Sequence, residues 1–250
     1  TIYRQKLTPG KLTPESKIET ILTNDHAHGV DPWHISKPVA FDGKGNMYVP
    51  FGAPSNNCQV INRMLAATPG APGLDPCPEL EDHAGIWRFD ENKTNQTQKD
   101  GERYATGIRS AVAIAWNTTD ETLYTVVHGR DNLYTIFPEK FTPWQSAVLP
   151  AEEFMRVTKG SNFGWPYYYF DPFKKRRILS PEYGGDGEIK GDGEKYSQPL
   201  MAFPGHWAPN DLWFYTGDQF PEHYKNGAFI AFHGSNNRSP YPQSGYFLCF

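Results

Sequence analysis

Val39-Ala-Phe-Asp-Gly-Lys-Gly-Asn-Met-Tyr-Val49 decides the fold, because it recurs as Ile114-Ala-Trp-Asn-Thr-Thr-Asp-Glu-Thr-Leu-Tyr-Thr-Val126. Each copy reads as a strand, a polar turn and a second strand, with apolar and aromatic residues flanking Gly, Asn, Asp and Thr. Both hairpins end shortly before a glycine, Gly52 or Gly129, so they deliver loops to one common face. A third hairpin follows the same plan: Asp211-Leu-Trp-Phe-Tyr215 is answered by Ala228-Phe-Ile-Ala-Phe232 after the turn pair Asn226-Gly227. Hairpins repeated with aromatics and glycines at matching points describe a β-propeller better than a sandwich, because loops converge at an axis only in the former. The expected class is all-β.

The rest of the 250 residues agrees with that reading. Twenty-three glycines and 22 prolines leave few windows long enough for a helix, and the longest, Ile108 to His128, contains the second hairpin. A net charge of -4 offers no surplus of cations for phosphates or anionic lipid, which removes nucleic acid and membrane surfaces as partners. No apolar run approaches the roughly 18 residues of a membrane span. The basic run Lys174-Lys-Arg-Arg177 and the glycine-rich, acidic stretch Glu182 to Glu194 read as a long surface excursion, the basic run as a solvated face. No composition shift marks a linker, so residues 1–250 read as one domain. At roughly 40 to 45 residues per blade the chain holds about four to six blades. Thr1-Ile-Tyr-Arg4 looks like a strand without blade-mates, and Gly245-Tyr-Phe-Leu-Cys-Phe250 ends on an apolar strand. The expectation is therefore a propeller fragment whose two ends face a gap and which is poorly soluble alone.

Cys58 and Cys77 bracket the loop Thr68-Pro-Gly-Ala-Pro-Gly-Leu-Asp-Pro76, which builds no core and would gain from a covalent staple. A Cys58–Cys77 disulfide is expected, with Cys249 as a buried strand residue. Asn-x-Ser/Thr sequons at Asn92, Asn95, Asn117 and Asn237 suit an exported chain, so a periplasmic or extracellular location is expected.

Three histidines fall in Asp25-His-Ala-His-Gly-Val-Asp-Pro-Trp-His34, but no carboxylate or further histidine at a familiar spacing makes His26, His28 and His34 a zinc site. His34, five residues before the first repeat, suits a general base, since a neutral imidazole takes a proton near pH 7; a hydrogen-bonded surface histidine is its ordinary alternative. Arg109 precedes an apolar strand, where an arginine is usually solvated, yet on an axial face it would fork onto a ligand carboxylate or carbonyl. In His128-Gly-Arg-Asp131 the glycine lets backbone carbonyls turn inward, as hard cations require.

The order of His34, Gly107-Ile-Arg109, His128-Gly-Arg-Asp131, Pro150-Ala-Glu-Glu-Phe154, Gly160-Ser-Asn-Phe-Gly-Trp-Pro166 and His233-Gly-Ser-Asn-Asn-Arg-Ser239 resembles the glucose/sorbosone dehydrogenase family. These are six-bladed propellers that oxidise sugars and related aldehydes with pyrroloquinoline quinone and calcium, and the chain looks closest to the sorbosone and pyranose dehydrogenase branch. The resemblance implies that His34 removes the hydroxyl proton as hydride passes to the quinone, while Arg109 polarises a quinone oxygen. It implies calcium on the carbonyls of Gly129 and Arg130, a second calcium at Glu153, Arg238 facing a quinone carboxylate, and His206 on the same rim. An external electron acceptor, whether dye, quinone or cytochrome, would reoxidise the cofactor. The chain departs from the pattern at Ala53, where the glucose branch has a carboxylate supporting the histidine, and at Ser110 and Asn236. A cofactor-free propeller that binds carbohydrate or protein, or a calcium-dependent lactonase, is the alternative reading.

Overall fold

A computed structural model describes residues 1–14, 16–24, 34–60 and 69–250. His26 and His28 lie outside the described residues. Strands β1 (Ile2–Arg4) and β2 (Glu19–Leu22) pair antiparallel. The first repeat forms β3 (Ala40–Phe41) and β4 (Asn46–Phe51), with Ala40 opposite Tyr48 and Phe41 opposite Met47. Asp42 closes this turn, its Oδ1 accepting from the N–H groups of Lys44 and Asn46 at 2.8 and 3.1 Å. β5 (Gly85–Asp90) and β6 (Glu102–Thr106) continue the sheet antiparallel.

The second repeat forms β7 (Ala111–Asn117) and β8 (Thr122–Val127). Two short helices follow, α1 (Leu133–Ile136) and α2 (Pro143–Val148). Thr142 starts α2: its hydroxyl accepts from the Gln145 N–H at 3.2 Å while the Gln145 side chain accepts from the Thr142 N–H at 2.8 Å. β9 (Glu152–Val157) returns to β8, and β10 (Ser161–Asn162) adds a parallel edge to β6. A separate hairpin of β11 (Tyr168–Asp171) and β12 (Arg176–Leu179) precedes β13 (Met201–Phe203), which completes the β7–β8–β9 sheet. The third hairpin is β14 (Pro209–Phe214) and β15 (Ala228–Phe232), extended by β16 (Phe247–Cys249). All three expected hairpins are present. The chain is all-β, and no described helix is long and apolar enough to cross a membrane. β1 and β16 belong to different sheets.

The repeat has a packing cause. β3, β7 and β14 open their sheets and lie side by side, with β7 touching both others. The tyrosine of each copy packs on the opening strand of the next sheet: Tyr48 stacks on Trp116 of β7 with centroids 5.5 Å apart, and Tyr124 meets Phe214 of β14 at 5.0 Å. Between the first two sheets lie Ile86, Ile108, Leu123, Met155 and Phe163; between the next two lie Val126, Leu212, Ile230 and Phe232. Each such side chain contributes about 1.5 to 3 kcal/mol on burial.

Two expectations change. Lys174 to Arg177 is not a solvated face throughout, because Arg176–Leu179 is a strand and successive side chains point to opposite faces. Arg177 is thereby buried, and so is Glu182 on the turn that follows. Cys249 does lie in a strand, β16, but only partly buried. The Cys58–Cys77 disulfide is formed, with Cα atoms 6.1 Å apart, inside a cluster with Ala53, Ala84 and Trp165. It closes a separation of 19 residues, so Cys58→Ala/Cys77→Ala should lower unfolding free energy by about 3 kcal/mol in urea titrations. An unchanged midpoint would show that the loop is held by its packing alone.

Candidate active site

The site grows from Arg109. Gly107, at a φ of +73°, turns the chain into β7 and sets Arg109 inside, 4% exposed. A buried guanidinium is tolerated only when its donors are met. Here Nε donates to the Asn56 carbonyl at 3.0 Å, Nη1 to the Gly129 carbonyl at 2.6 Å, and Nη2 to Asn56 Oδ1 and Asp131 Oδ2, both at 2.9 Å. The Arg109 carbonyl takes the Ala53 N–H at 2.8 Å. The loops after β4 and β8 thus meet on one residue, as the two glycines lead one to expect.

His34 sits against this junction. Its backbone is left-handed, at a φ of 52°, and its Nδ1 lies 2.6 Å from the Ala53 carbonyl. A carbonyl only accepts, so Nδ1 carries the proton and Nε2 is the basic nitrogen. The carbonyl of Ala53 therefore orients the ring. Gly52 is required for this approach: a Cβ there would lie 2.5 Å from the His34 Cβ. Burial, reinforced by the charge of Arg109, lowers the His34 pKa to about 3, so the imidazole is neutral at pH 7.

Asp131 ties in the third sheet. Its Oδ1 accepts from the Asn237 amide at 2.6 Å and lies 3.3 Å from His206 Nδ1, and the Asn56 amide brackets its backbone N–H and carbonyl at 2.8 and 2.9 Å. His206 Nε2 is 2.8 Å from the Ser146 carbonyl. Both ring nitrogens face acceptors, which is the pattern of an imidazolium. Burial opposes that charge, but the hydrogen bond and charge of Asp131 outweigh it and raise the His206 pKa. Burial would likewise raise the Asp131 carboxyl, yet Arg109 and His206 hold it well below the usual carboxylate range. Glu152 accepts from the backbone N–H groups of His206 and Gly129 at 2.7 and 3.1 Å, and burial pushes its pKa up.

The other expected residues divide. Arg109, Gly129, Arg130 and Glu153 line one narrow cavity with room for about two water molecules. Tyr169 lines it too, and its buried hydroxyl has no hydrogen-bond partner among the described residues. Arg130 is committed to Glu182, both side chains essentially unexposed, and Asn57 and Gln59 donate to the same carboxylate at 3.0 and 3.1 Å. Both oxygens of Glu153 are taken by Arg177, at 2.7 and 3.3 Å. Arg238 is buried and, among the described residues, donates only to carbonyls, those of Pro242, Ala147 and Gly205 at 3.2, 2.9 and 3.1 Å. Its neighbour Asn237 reaches Asp131, which connects Arg238 and His206 to the Arg109 junction. Ser110 passes its carbonyl to the His128 N–H, and Asn236 opens the short turn that carries Arg238. Asp131, Asn56, Glu152 and Glu182 were not singled out from sequence. Asp131 stood inside a recognised motif, whereas nothing in Ser55-Asn-Asn57 distinguishes a bracket from a turn.

A model of the TrAA12-like family matches residues 79–249. The chain belongs to that family. Among solved structures, the holo form of the pyranose dehydrogenase PQQ domain of Coprinopsis cinerea superposes with a TM-score of 0.69 at 17% identity, covering 98% of this chain and 57% of that one. The calcium structure of the AA12-family carbohydrate-active enzyme of Trichoderma reesei gives 0.65 at 18% identity, covering 92% and 55%. An uncharacterised protein of Borreliella burgdorferi is 29% identical over 146 residues, 58% of this chain and 33% of the relative. The TrAA12-like chain thus spans little more than half the length of the solved relatives and a third of the curated one.

Two stability predictions follow from these contacts. Arg130→Met strands Glu182 in a dry site and should cost about 3 to 5 kcal/mol, much of it restored by Arg130→Met/Glu182→Leu; equal losses in both would deny the pairing. The His34 pKa falls from 6.5 in the unfolded chain to about 3 in the fold, so its contribution is complete above pH 6.5 and drains away as pH falls toward 3. Melting temperature should therefore drop less between pH 7 and 4 in His34→Gln than in the parent, and identical slopes would contradict a buried neutral imidazole.

Proposed function

We propose that this TrAA12-like chain carries the cofactor site of a quinone-dependent sugar dehydrogenase, which oxidises an aldose or sugar-derived aldehyde, and that its sheets are successive blades of a propeller of the six-bladed type. The observation that carries this reading is a neutral imidazole, His34, held against the buried Arg109 junction, to which Asp131 and Asn237 connect Arg238, a guanidinium whose partners among the described residues are all neutral.

Pyrroloquinoline quinone bears carboxylates, and Arg238 fits them: a buried guanidinium with no anion gains from one. Arg109 and His206, with Asp131 between them, would hold the remaining polar edge. The quinone supplies, when bound, the acceptor for a hydride. His34 receives the hydroxyl proton on Nε2, since Nδ1 is already committed to the Ala53 carbonyl. An anion offsetting Arg109 would raise the proton affinity of His34 toward the range useful to a base. Asp131 and Asn56 keep the Arg109 fork fixed, so its direction costs no reorganisation during reaction.

Calcium fits the described donors less well. The Gly129 carbonyl already accepts from Arg109, Glu153 is neutralised by Arg177, and the described residues contain no group of three or more His, Cys, Asp or Glu side chains able to hold a metal. No step is assigned to it. The Cys58–Cys77 disulfide favours an oxidising compartment, periplasmic or extracellular. An external carrier would take the electrons onward.

Apoprotein mixed with the quinone and calcium should reduce a redox dye with some member of a panel of aldoses and aldehydes; no turnover with quinone demonstrably bound would reject the reading. His34→Ala should lower turnover by about 10²-fold or more with quinone binding, followed by tryptophan fluorescence, nearly intact. Arg238→Ala should weaken that binding by roughly 10- to 100-fold. Full turnover in the first variant, or unchanged affinity in the second, would remove that residue from its role.

A further inference from the structure

The basic run of β12 is the sequence feature that the site leaves unused. Arg177 turns inward to Glu153, whereas Lys175 and Arg176 remain exposed. With Lys190, Glu194 and Gln198 they line an open groove. Lys190 is shared with Glu194 at 3.3 Å. Lys175 makes no ion pair or hydrogen bond among the described residues, and Arg176 reaches only the Glu188 carbonyl, at 3.5 Å. On a chain of net charge -4, two cations without a carboxylate partner therefore face one concavity.

The buried Arg177–Glu153 pair stands between this groove and the narrow cavity of the candidate site. Arg177 lines the groove and grips Glu153, which lines the narrow cavity beside Arg109 and Gly129. Tyr196, between Glu194 and Gln198, packs its ring 5.2 Å from Tyr168, another residue of that cavity. A protein partner would need about 800 Å² of matching surface on each side. A concavity of a few cations, an amide and a neighbouring aromatic ring suits a narrower ligand that carries carboxylates and hydroxyls.

We propose that this groove is a subsite for a carboxylate-bearing sugar unit, so that the substrate is an acidic oligosaccharide of the uronate class. The link to oxidation rests on the function proposed above; the anion binding does not.

The test uses the whole chain without added quinone, and calorimetry with trigalacturonate, maltotriose and poly-L-glutamate as separate probes. Trigalacturonate should bind at least about tenfold more tightly than maltotriose, the sum of two exposed ion pairs, and about 0.5 M salt should erase the difference. Lys175→Gln/Arg176→Gln should erase it too, with an unchanged melting temperature. Equal binding of the two trisaccharides, or a preference that survives in the variant, overturns the proposal. Binding of poly-L-glutamate with none of trigalacturonate overturns it in favour of an acidic protein partner. Because these readouts need no cofactor, a failure of quinone turnover would be registered separately.

Discussion

The buried Arg109 guanidinium is the constraint on which the rest depends. A cation out of water must find acceptors, and here they come from two loops: Asn56 from the loop after β4, Gly129 and Asp131 from the loop after β8. Those loops cannot be moved apart without stranding a charge, which costs several kcal/mol. The sheets are packed by apolar and aromatic side chains, but packing alone allows slippage between neighbours. The charge pins their ends. Its carbonyl works in the same direction, since it takes the Ala53 N–H and so fixes the backbone on which His34 rests.

From that junction the remaining polar groups follow by satisfaction of hydrogen bonds. Asp131, neutralising Arg109 with one oxygen, turns the other to Asn237 and His206, and its charge raises the pKa of His206. Glu152 meets the backbone N–H groups of Gly129 and His206, so the second and third sheets share an acceptor. His128 closes the same seam, its Nε2 lying 2.7 Å from the Pro209 carbonyl at the start of β14. Apart from Asn237, which is exposed, these groups are buried or half-buried, and each would be costly alone. Collectively they fix the geometry of a polar site inside an apolar stack.

The fold was legible where period-2 strands and turn residues coincide. The hairpins at Val39, Ile114 and Asp211 all formed, and the Cys58–Cys77 bridge followed from its loop. The candidate site was legible only in part. Arg109, Gly129 and Arg130 occupy motifs and do line one cavity. Asp131 sat beside them unread, since an aspartate after a strand is ordinarily a turn residue. Partners across the chain were invisible: Arg130 and Glu182 are 52 residues apart and Asn57 and Glu182 are 125 apart, so no local pattern joins them. Lys174 to Arg177 misled for a different reason. Charge suggests exposure, but strand alternation sends every second side chain inward whatever its charge, provided a carboxylate waits there.

That last point separates two kinds of cation in the molecule. Arg109, Arg130 and Arg177 each face a carboxylate, Asp131, Glu182 and Glu153, and each pair is close to neutral as a unit. Arg130 and Arg177, whose side chains are essentially unexposed, are structural in electrostatic terms, because an incoming anion would have to compete with a partner already desolvated. Arg238 differs, for its acceptors are all dipoles, and burial alone lowers its pKa. Lys175 and Arg176 differ in the opposite way, being solvated and unpaired. A ligand carboxylate thus gains most at Arg238, where the desolvation of the cation has already occurred on folding, and gains less, with strong salt dependence, along Lys175 and Arg176.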